Sequence, residues 1–179
     1  GIEAGDDFFS TLTMRYEGSQ TNQACINSLA DMIYGKGLKS RNGEALSDYV
    51  YTLTTEVELR KLVLDYKLYG NGALQVTYNE DRTKIIGFFH IPVSTLRAER
   101  VDDEGNICGY YYSPDWDNKK IKPIRIPAFG FSQDEVEIIY VKNYAPMKFY
   151  YSTPDYYSCI QYCAVEEEIS NLHLSNIRN

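Results

Sequence analysis

Residues Asp65 to Arg97 read D-Y-K-L-Y-G-N-G-A-L-Q-V-T-Y-N-E-D-R-T-K-I-I-G-F-F-H-I-P-V-S-T-L-R, and this stretch decides the fold. An amphipathic helix stops at Gly70, because glycine takes a left-handed cap without steric cost. Gly70-Asn71-Gly72 then turns the chain. Leu74, Val76 and Tyr78 alternate with Ala73, Gln75 and Thr77, the period of a strand with one buried face. A turn at Asn79-Glu80-Asp81 leads into a second strand through Ile85, Ile86, Phe88 and Phe89, which runs on to His90-Ile91-Pro92. Nothing in the series has the pattern of a catalytic site.

Working upstream, the helix that ends at Gly70 starts at Thr55-Glu56-Val57-Glu58, where Thr55 is placed to cap and Glu58 to reach back. Leu59, Leu62, Val63 and Tyr66 are its apolar positions. An earlier helix spans Thr21 to Tyr34, with Ala24, Ile26, Leu29, Met32 and Ile33 apolar, and stops at Gly35 and Gly37. Residues 1 to 18 are weakly periodic and are expected to form a short helix or an ordered arm. Downstream, strands are expected over Leu96–Val101, Ile107–Tyr112, Ile121–Ile126 and around Val136, Ile138 and Tyr140. Pro123 and Pro127 put the third of these at a sheet edge.

Thr153-Pro154-Asp155 supplies a capping hydroxyl, a proline at the first helical position and an acid in the first turn. From there to Arg178 no glycine or proline interrupts, a helix roughly 36 Å long. Tyr162, Val165, Ile169 and Leu172 form one apolar stripe, flanked by Glu166-Glu167-Glu168. Such an acidic run usually marks a solvated face. The expected fold is α+β: two N-terminal helices, a mainly antiparallel meandering sheet and a long C-terminal helix. Residues 1–152 form the α+β domain and 153–179 the helix, which is expected to run on in a longer protein.

Composition excludes several functions. The 179 residues carry 25 acidic and 18 basic side chains, a net charge of −7. No block of Lys and Arg exists, so tight DNA binding by a basic patch is not expected. The longest apolar run, Ile85 to Ile91, is too short to cross a bilayer. Cys25, Cys108, Cys159 and Cys163 lack Cys-x-x-Cys spacing and read as reduced, partly buried thiols. Seventeen tyrosines are the anomaly, and strand preference and subunit contacts both account for them.

Candidate chemistry is thin. His90 sits in a strand between Phe89 and Ile91, as a sheet histidine rather than a general base, and His173 lies far off on the last helix. A nucleophilic pair needs Cys108 or Cys159 beside a histidine, and no signature supports one. Asp102-Asp103-Glu104-Gly105-Asn106 clusters oxygens but lacks the spacing and distal Glu of a calcium loop, so it reads as a hairpin turn. Asp115-Trp116-Asp117-Asn118 reads as a loop with Trp116 as an exposed anchor. Neither Gly35-x-Gly37 nor Gly70-x-Gly72 opens a helix after a strand, as a phosphate loop must. No catalytic, cofactor or metal site is expected.

Four landmarks, in order, resemble the tailed-bacteriophage portal protein family. They are I-Y-G-K-G-L at 33–38, L-Y-G-N-G-A-L-Q-V at 68–76, H-I-P-V-S-T-L-R at 90–97, and Y-Y-S-T-P-D-Y-Y-S-C-I-Q-Y-C-A-V-E-E-E-I-S-N at 150–171. The resemblance covers about residues 20 to 179 and departs at Ser152-Thr153, where many portals have glycine. It makes Gly35, Gly37, Gly70, Gly72, Pro92 and Pro154 structural turn residues. It implies a wing-type domain leading into the stem helix, in a homo-oligomeric and usually dodecameric ring at a capsid vertex. Such a ring passes double-stranded DNA and docks terminase, capsid and neck or tail proteins, without enzymatic chemistry, cofactor or membrane. The place would be the virion or prophage particle, assembled in the bacterial cytoplasm. Tyr162, Val165, Glu166, Glu168, Ile169 and Leu172 would then lie at subunit contacts or toward the channel. The alternative from the residues is a soluble β-rich module that binds ligand or protein through exposed aromatics such as Trp116.

Overall fold

Four helices precede the first strand in the computed structural model, which describes residues 7–41 and 44–178: α1 (Phe8–Gly18), α2 (Gln20–Tyr34), α3 (Glu44–Leu53) and α4 (Glu56–Tyr69). The α+β class is the one expected; α1 is the short-helix alternative read for residues 1 to 18, and α3 joins the two helices read from the sequence. Ser19 divides α1 from α2: its N–H donates to Arg15 O at 3.2 Å, and its hydroxyl accepts the Asn22 N–H at 3.1 Å. One residue thus ends one helix and caps the next. Helix α3 lies against the sheet, its Val50 and Leu53 sharing a groove with Tyr78, Ile85 and Phe88. A helix this short is held by such packing rather than by propensity, and its apolar positions Leu46, Tyr49, Val50 and Leu53 fall at helical spacing.

Helix α4 is capped by Thr55, whose hydroxyl accepts the Glu58 N–H at 3.3 Å. The reciprocal arm expected of Glu58 is not made. Its carboxylate instead accepts the His90 N–H at 2.6 Å and pairs with Lys61 at 3.0 Å. Gly70 ends α4 in the left-handed region, φ 72° and ψ 6°, with its N–H on Tyr66 O at 2.9 Å. Gly35 and Gly37 also hold positive φ, 53° and 85°, after α2.

Six strands follow: β1 (Asn71–Tyr78), β2 (Ile85–His90), β3 (Leu96–Ala98), β4 (Gly109–Tyr112), β5 (Ile124–Pro127) and β6 (Val136–Lys142). They form two antiparallel three-stranded sheets, β2-β1-β6 and β3-β4-β5, rather than one meander. A parallel bridge from Ala128 to Ile138 ties the sheets together. β5 lies at an edge, as its prolines require. Pro92 leads into a 3-10 turn over Val93–Thr95 that carries the chain from β2 to β3.

β1 is central, and this corrects two expectations. Gly72 is not in the turn but in β1, opposite Val141. A Cβ there would lie 2.8 Å from Leu62, so the bare backbone lets α4 approach the strand. Ala73 and Val76 point to opposite faces, yet both are fully buried. Helix α4 covers one face and the second sheet the other, so the alternation expected of a half-exposed strand is lost. The main core gathers Phe9, Leu12, Ile26, Leu68, Leu96, Tyr110 and Ile138.

The last helix, α5, spans Ile160–Arg178, so it does not start at Pro154. Residues 151–154 run without helical or strand pairing, followed by a 3-10 turn over Tyr157–Cys159. The reason lies at Gly70. A Cβ on Gly70 would sit 2.5 Å from the Thr153 carbonyl carbon and 2.6 Å from the Pro154 nitrogen. The segment crosses directly over the turn and is held there by Asn71, whose side chain exchanges hydrogen bonds with Ser152 at 2.9 Å in both directions.

Gly70→Val adds a backbone clash to a positive φ that β-branched residues avoid. It should lower stability by at least about 3 kcal/mol in urea denaturation. Gly105→Ala, at φ 85° with nothing within 4 Å, should cost about 1 kcal/mol. Equal losses for the two would show that the crossing segment does not press on Gly70.

Candidate functional site

Helix α5 is rooted in the body and bare beyond it. Ile160, Cys163, Ala164, Glu166 and Glu167 are half-covered, whereas every described residue from Glu168 to Arg178 is exposed. The stripe read from the sequence is uncovered: Tyr162 is 76% exposed, Val165 56%, Ile169 50% and Leu172 60%. Leu174 and Ile177 add further open apolar surface. The spacings of three, four and three match the seam that one helix presents to another. A run of large apolar side chains on an exposed helix marks a contact surface rather than scattered surface residues.

The root is polar. Arg15, in the last turn of α1, pairs with Glu167 at 2.6 Å. Ser19 and Thr21, at the start of α2, both donate hydroxyl hydrogen bonds to Glu166. These donors, Ser19 first, hold the Glu166 carboxyl below the usual carboxylate range. The acidic run is therefore not one solvated face. Its first two carboxylates are engaged and only Glu168 is free to face water. Sequence reasoning missed this, because helical periodicity says which residues share a face and not what stands opposite.

Other polar clusters bind the fold together. His90 Nε2 lies 2.9 Å from Asp65 Oδ2, which also accepts the Val93 N–H at 3.2 Å. With Glu58 on the His90 N–H, α4 thereby reads the end of β2 through two carboxylates. Partial burial opposes the Glu58 charge, but Lys61 and the His90 N–H outweigh it and hold that carboxyl below its usual value. Glu137 in β6 is fully buried and paired with Arg82 at 2.7 Å. Tyr78 OH and Gly130 N–H donate to the same carboxylate at 3.1 and 3.3 Å. Arg82, at φ 53°, lies over the Tyr78 ring and also donates to the Ser132 carbonyl.

The residues considered for chemistry are not assembled into a reactive site. The Cys108 thiol donates to Asp102 at 3.3 Å, which pushes its pKa up, away from a reactive thiolate. Asp102 closes the β3–β4 turn by accepting the Glu104 and Asn106 N–H groups at 3.0 and 2.7 Å. Among the described residues no three His, Cys, Asp or Glu side chains are placed to hold a metal. His173 is exposed on α5. Trp116 is not the exposed anchor expected: its indole N–H donates to Thr95 O at 3.1 Å. The Arg97 guanidinium lies between the Trp116 and Phe9 rings, 4.8 and 5.2 Å from their centres. Exposed aromatics lie elsewhere, with Tyr144 beside the fully exposed Met147 on the loop after β6.

A scan against protein-family models finds no match, and comparison with curated proteins finds none either. Solved structures do match. The chain is similar to one in the virion of a native gene transfer agent (GTA) particle, with TM-score 0.74 and 14% identity over 97% of this chain and 45% of that one. It is similar also to one in the neck of an empty GTA particle computed with C6 symmetry, with TM-score 0.75, 14% identity, and 97% and 46% coverage. A chain in the neck of a native GTA particle computed with C12 symmetry gives TM-score 0.57 at 14% identity, over 75% and 36%. At this identity the likeness is one of fold. This chain spans less than half the length of the chains it matches.

Arg82→Ala strands the Glu137 carboxylate without its countercharge in a fully buried place. Loss of one partner from such a pair costs about 3–5 kcal/mol, which equilibrium denaturation should read directly. Arg60→Ala, which removes an exposed pairing with Glu56 and Asp31, should cost under about 1 kcal/mol.

Proposed function

We propose that this chain is the wing-type part of a portal-family subunit, a structural component of the neck of a phage-like particle. The supporting observation is joint: a fold shared over 97% of the chain with a chain from a GTA neck, and a helix that leaves the body with its apolar stripe uncovered. The segment up to Cys159 belongs to the body, and α5, from Ile160, is the start of the stem helix. The subunit's work is geometric: a wedge-shaped body sits beside identical copies in a closed ring, and α5 points toward its axis.

In such a ring the stripe on α5 meets the neighbouring subunit. Burying four apolar side chains of this size contributes several kcal/mol per contact, at about 25 cal/mol per Å². Glu168, exposed and acidic, stands where it discourages phosphate sticking, in keeping with a chain that lacks a basic stripe and passes duplex DNA without gripping it. Terminase, capsid and neck or tail proteins are the partners this reading implies. No step of bond chemistry belongs to it.

Two measurements test the reading. In this chain alone, amides from Ile169 onward should exchange with solvent much faster than those of Leu74–Tyr78, since nothing in the body covers them. Equal protection in a monomer would mean that α5 is not free to reach a neighbour. In the protein that contains this chain, Ile169→Glu with Leu172→Glu should cut ring yield at least tenfold by electron microscopy. Both positions are at least half exposed, so the melting temperature of this chain should stay unchanged. Normal ring yield from the double variant would remove α5 from the subunit contact.

A further inference from the structure

The elbow between α1 and α2 is built as a socket for carboxylates. Ser19 and Thr21 donate to Glu166 from the start of α2, where the helix dipole also favours an anion. Arg15 holds Glu167 from the end of α1 at 2.6 Å. The Glu167 carboxyl also packs on the bare backbone of Gly18, between them, where a Cβ would lie 2.9 Å from its carboxyl carbon. The end of α1 and the start of α2 are thus grouped around two consecutive acids of α5.

Past Glu167 every described residue of the helix is exposed, and this part, from Glu168 to Arg178, is about 16 Å long. Apolar support at the root is confined to side chains near Ile160, Cys163 and Ala164, which are only half-covered. A long shaft on so short a base takes its angle from the directional contacts at that base. Hydrogen bonds and ion pairs are directional, whereas apolar contact is not.

We propose that Glu166 and Glu167 are a latch that sets the angle of α5, and that neutralising them frees the helix to swing on its root. The inference stands on this chain's own geometry and does not depend on ring assembly. The groups facing the latch are Arg15 from α1, Ser19 and Thr21 from the start of α2, and Cys163 from α5 itself. The Glu166 carboxyl is held low, so the latch persists above the ordinary carboxylate range and is lost as pH falls through the lowered value.

Distances between nitroxides at Ser28→Cys on α2 and Ser175→Cys on α5, with the four native cysteines replaced by serine, read the angle directly. The parent and Glu168→Gln should give one narrow distribution. Glu166→Gln with Glu167→Gln should broaden or shift it, and lowering the pH toward 3 should broaden the parent while changing the double variant little. The same narrow distribution in the double variant as in Glu168→Gln overturns the latch. Should the double variant fail to fold, Arg15→Gln with Thr21→Ala decides, since it leaves the Ser19 cap on α2 intact. Broadening there supports the latch, and an unchanged distribution overturns it.

Discussion

Asn71 is fully buried at the first position of β1, and its side chain makes three hydrogen bonds across the chain. Nδ2 donates to Tyr69 O at 2.8 Å and Ser152 O at 2.9 Å, while Oδ1 accepts the Ser152 N–H at 2.9 Å. The amide side chain stands in for a residue of paired strand and grips a segment 81 positions away. Gly70 makes the grip possible by leaving its Cβ space to Thr153 and Pro154. Tyr156 OH on Leu68 O at 2.6 Å and Lys67 on Asp155 at 2.5 Å extend it along both sides of the turn. Each such bond is worth about 1 kcal/mol net, but a buried amide left unpaired costs more than that. The turn therefore fixes where α4 ends, where β1 begins and where the chain to α5 must cross.

The rest of the body follows from β1 being central. A strand with α4 on one face and a second sheet on the other needs small or apolar residues on both, which Gly72, Ala73 and Val76 supply. At its far end Glu137 and Arg82 tie β6 to the β1–β2 turn inside the protein. Tyr110 and Tyr140 stack at 5.0 Å and 8° between the sheets, and burial pushes both phenols well above their ordinary range. Tyr151 meets Tyr140 edge-on at the same place, since large flat rings suit the gap between two short sheets.

Much of this was legible because its causes are local. Gly70, Thr55 and the alternating strands carry their geometry in adjacent residues. Other parts were hidden because their causes are distant. Pro154 reads as a helix start by every local rule, yet the chain before it is held on Asn71 and Gly70, Pro154 opens only a turn closed by the Tyr157 N–H, and α5 waits until Ile160. Glu58 completes a capping box on paper, but the His90 N–H offers its carboxylate a bond that the helix end does not make. The division of the acidic run is invisible in sequence for the same reason, since Arg15, Ser19 and Thr21 lie about 150 positions upstream of their partners.

The two parts of α5 are held by forces of different kind, and this shapes what the helix does. Its root is fixed by charges and hydroxyls, which water and protons compete for, so its attachment is adjustable. Its shaft is apolar at Ile169, Leu172, Leu174 and Ile177 and stays unsatisfied until another surface covers it. Among the described residues the shaft from Glu168 onward is exposed throughout. A neighbouring copy in the proposed ring can cover the shaft, and the apolar contact tolerates small changes of angle that a polar interface would not. An adjustable root with a sticky shaft suits a subunit whose axis-facing helix must settle against copies of itself at an angle set by the whole assembly.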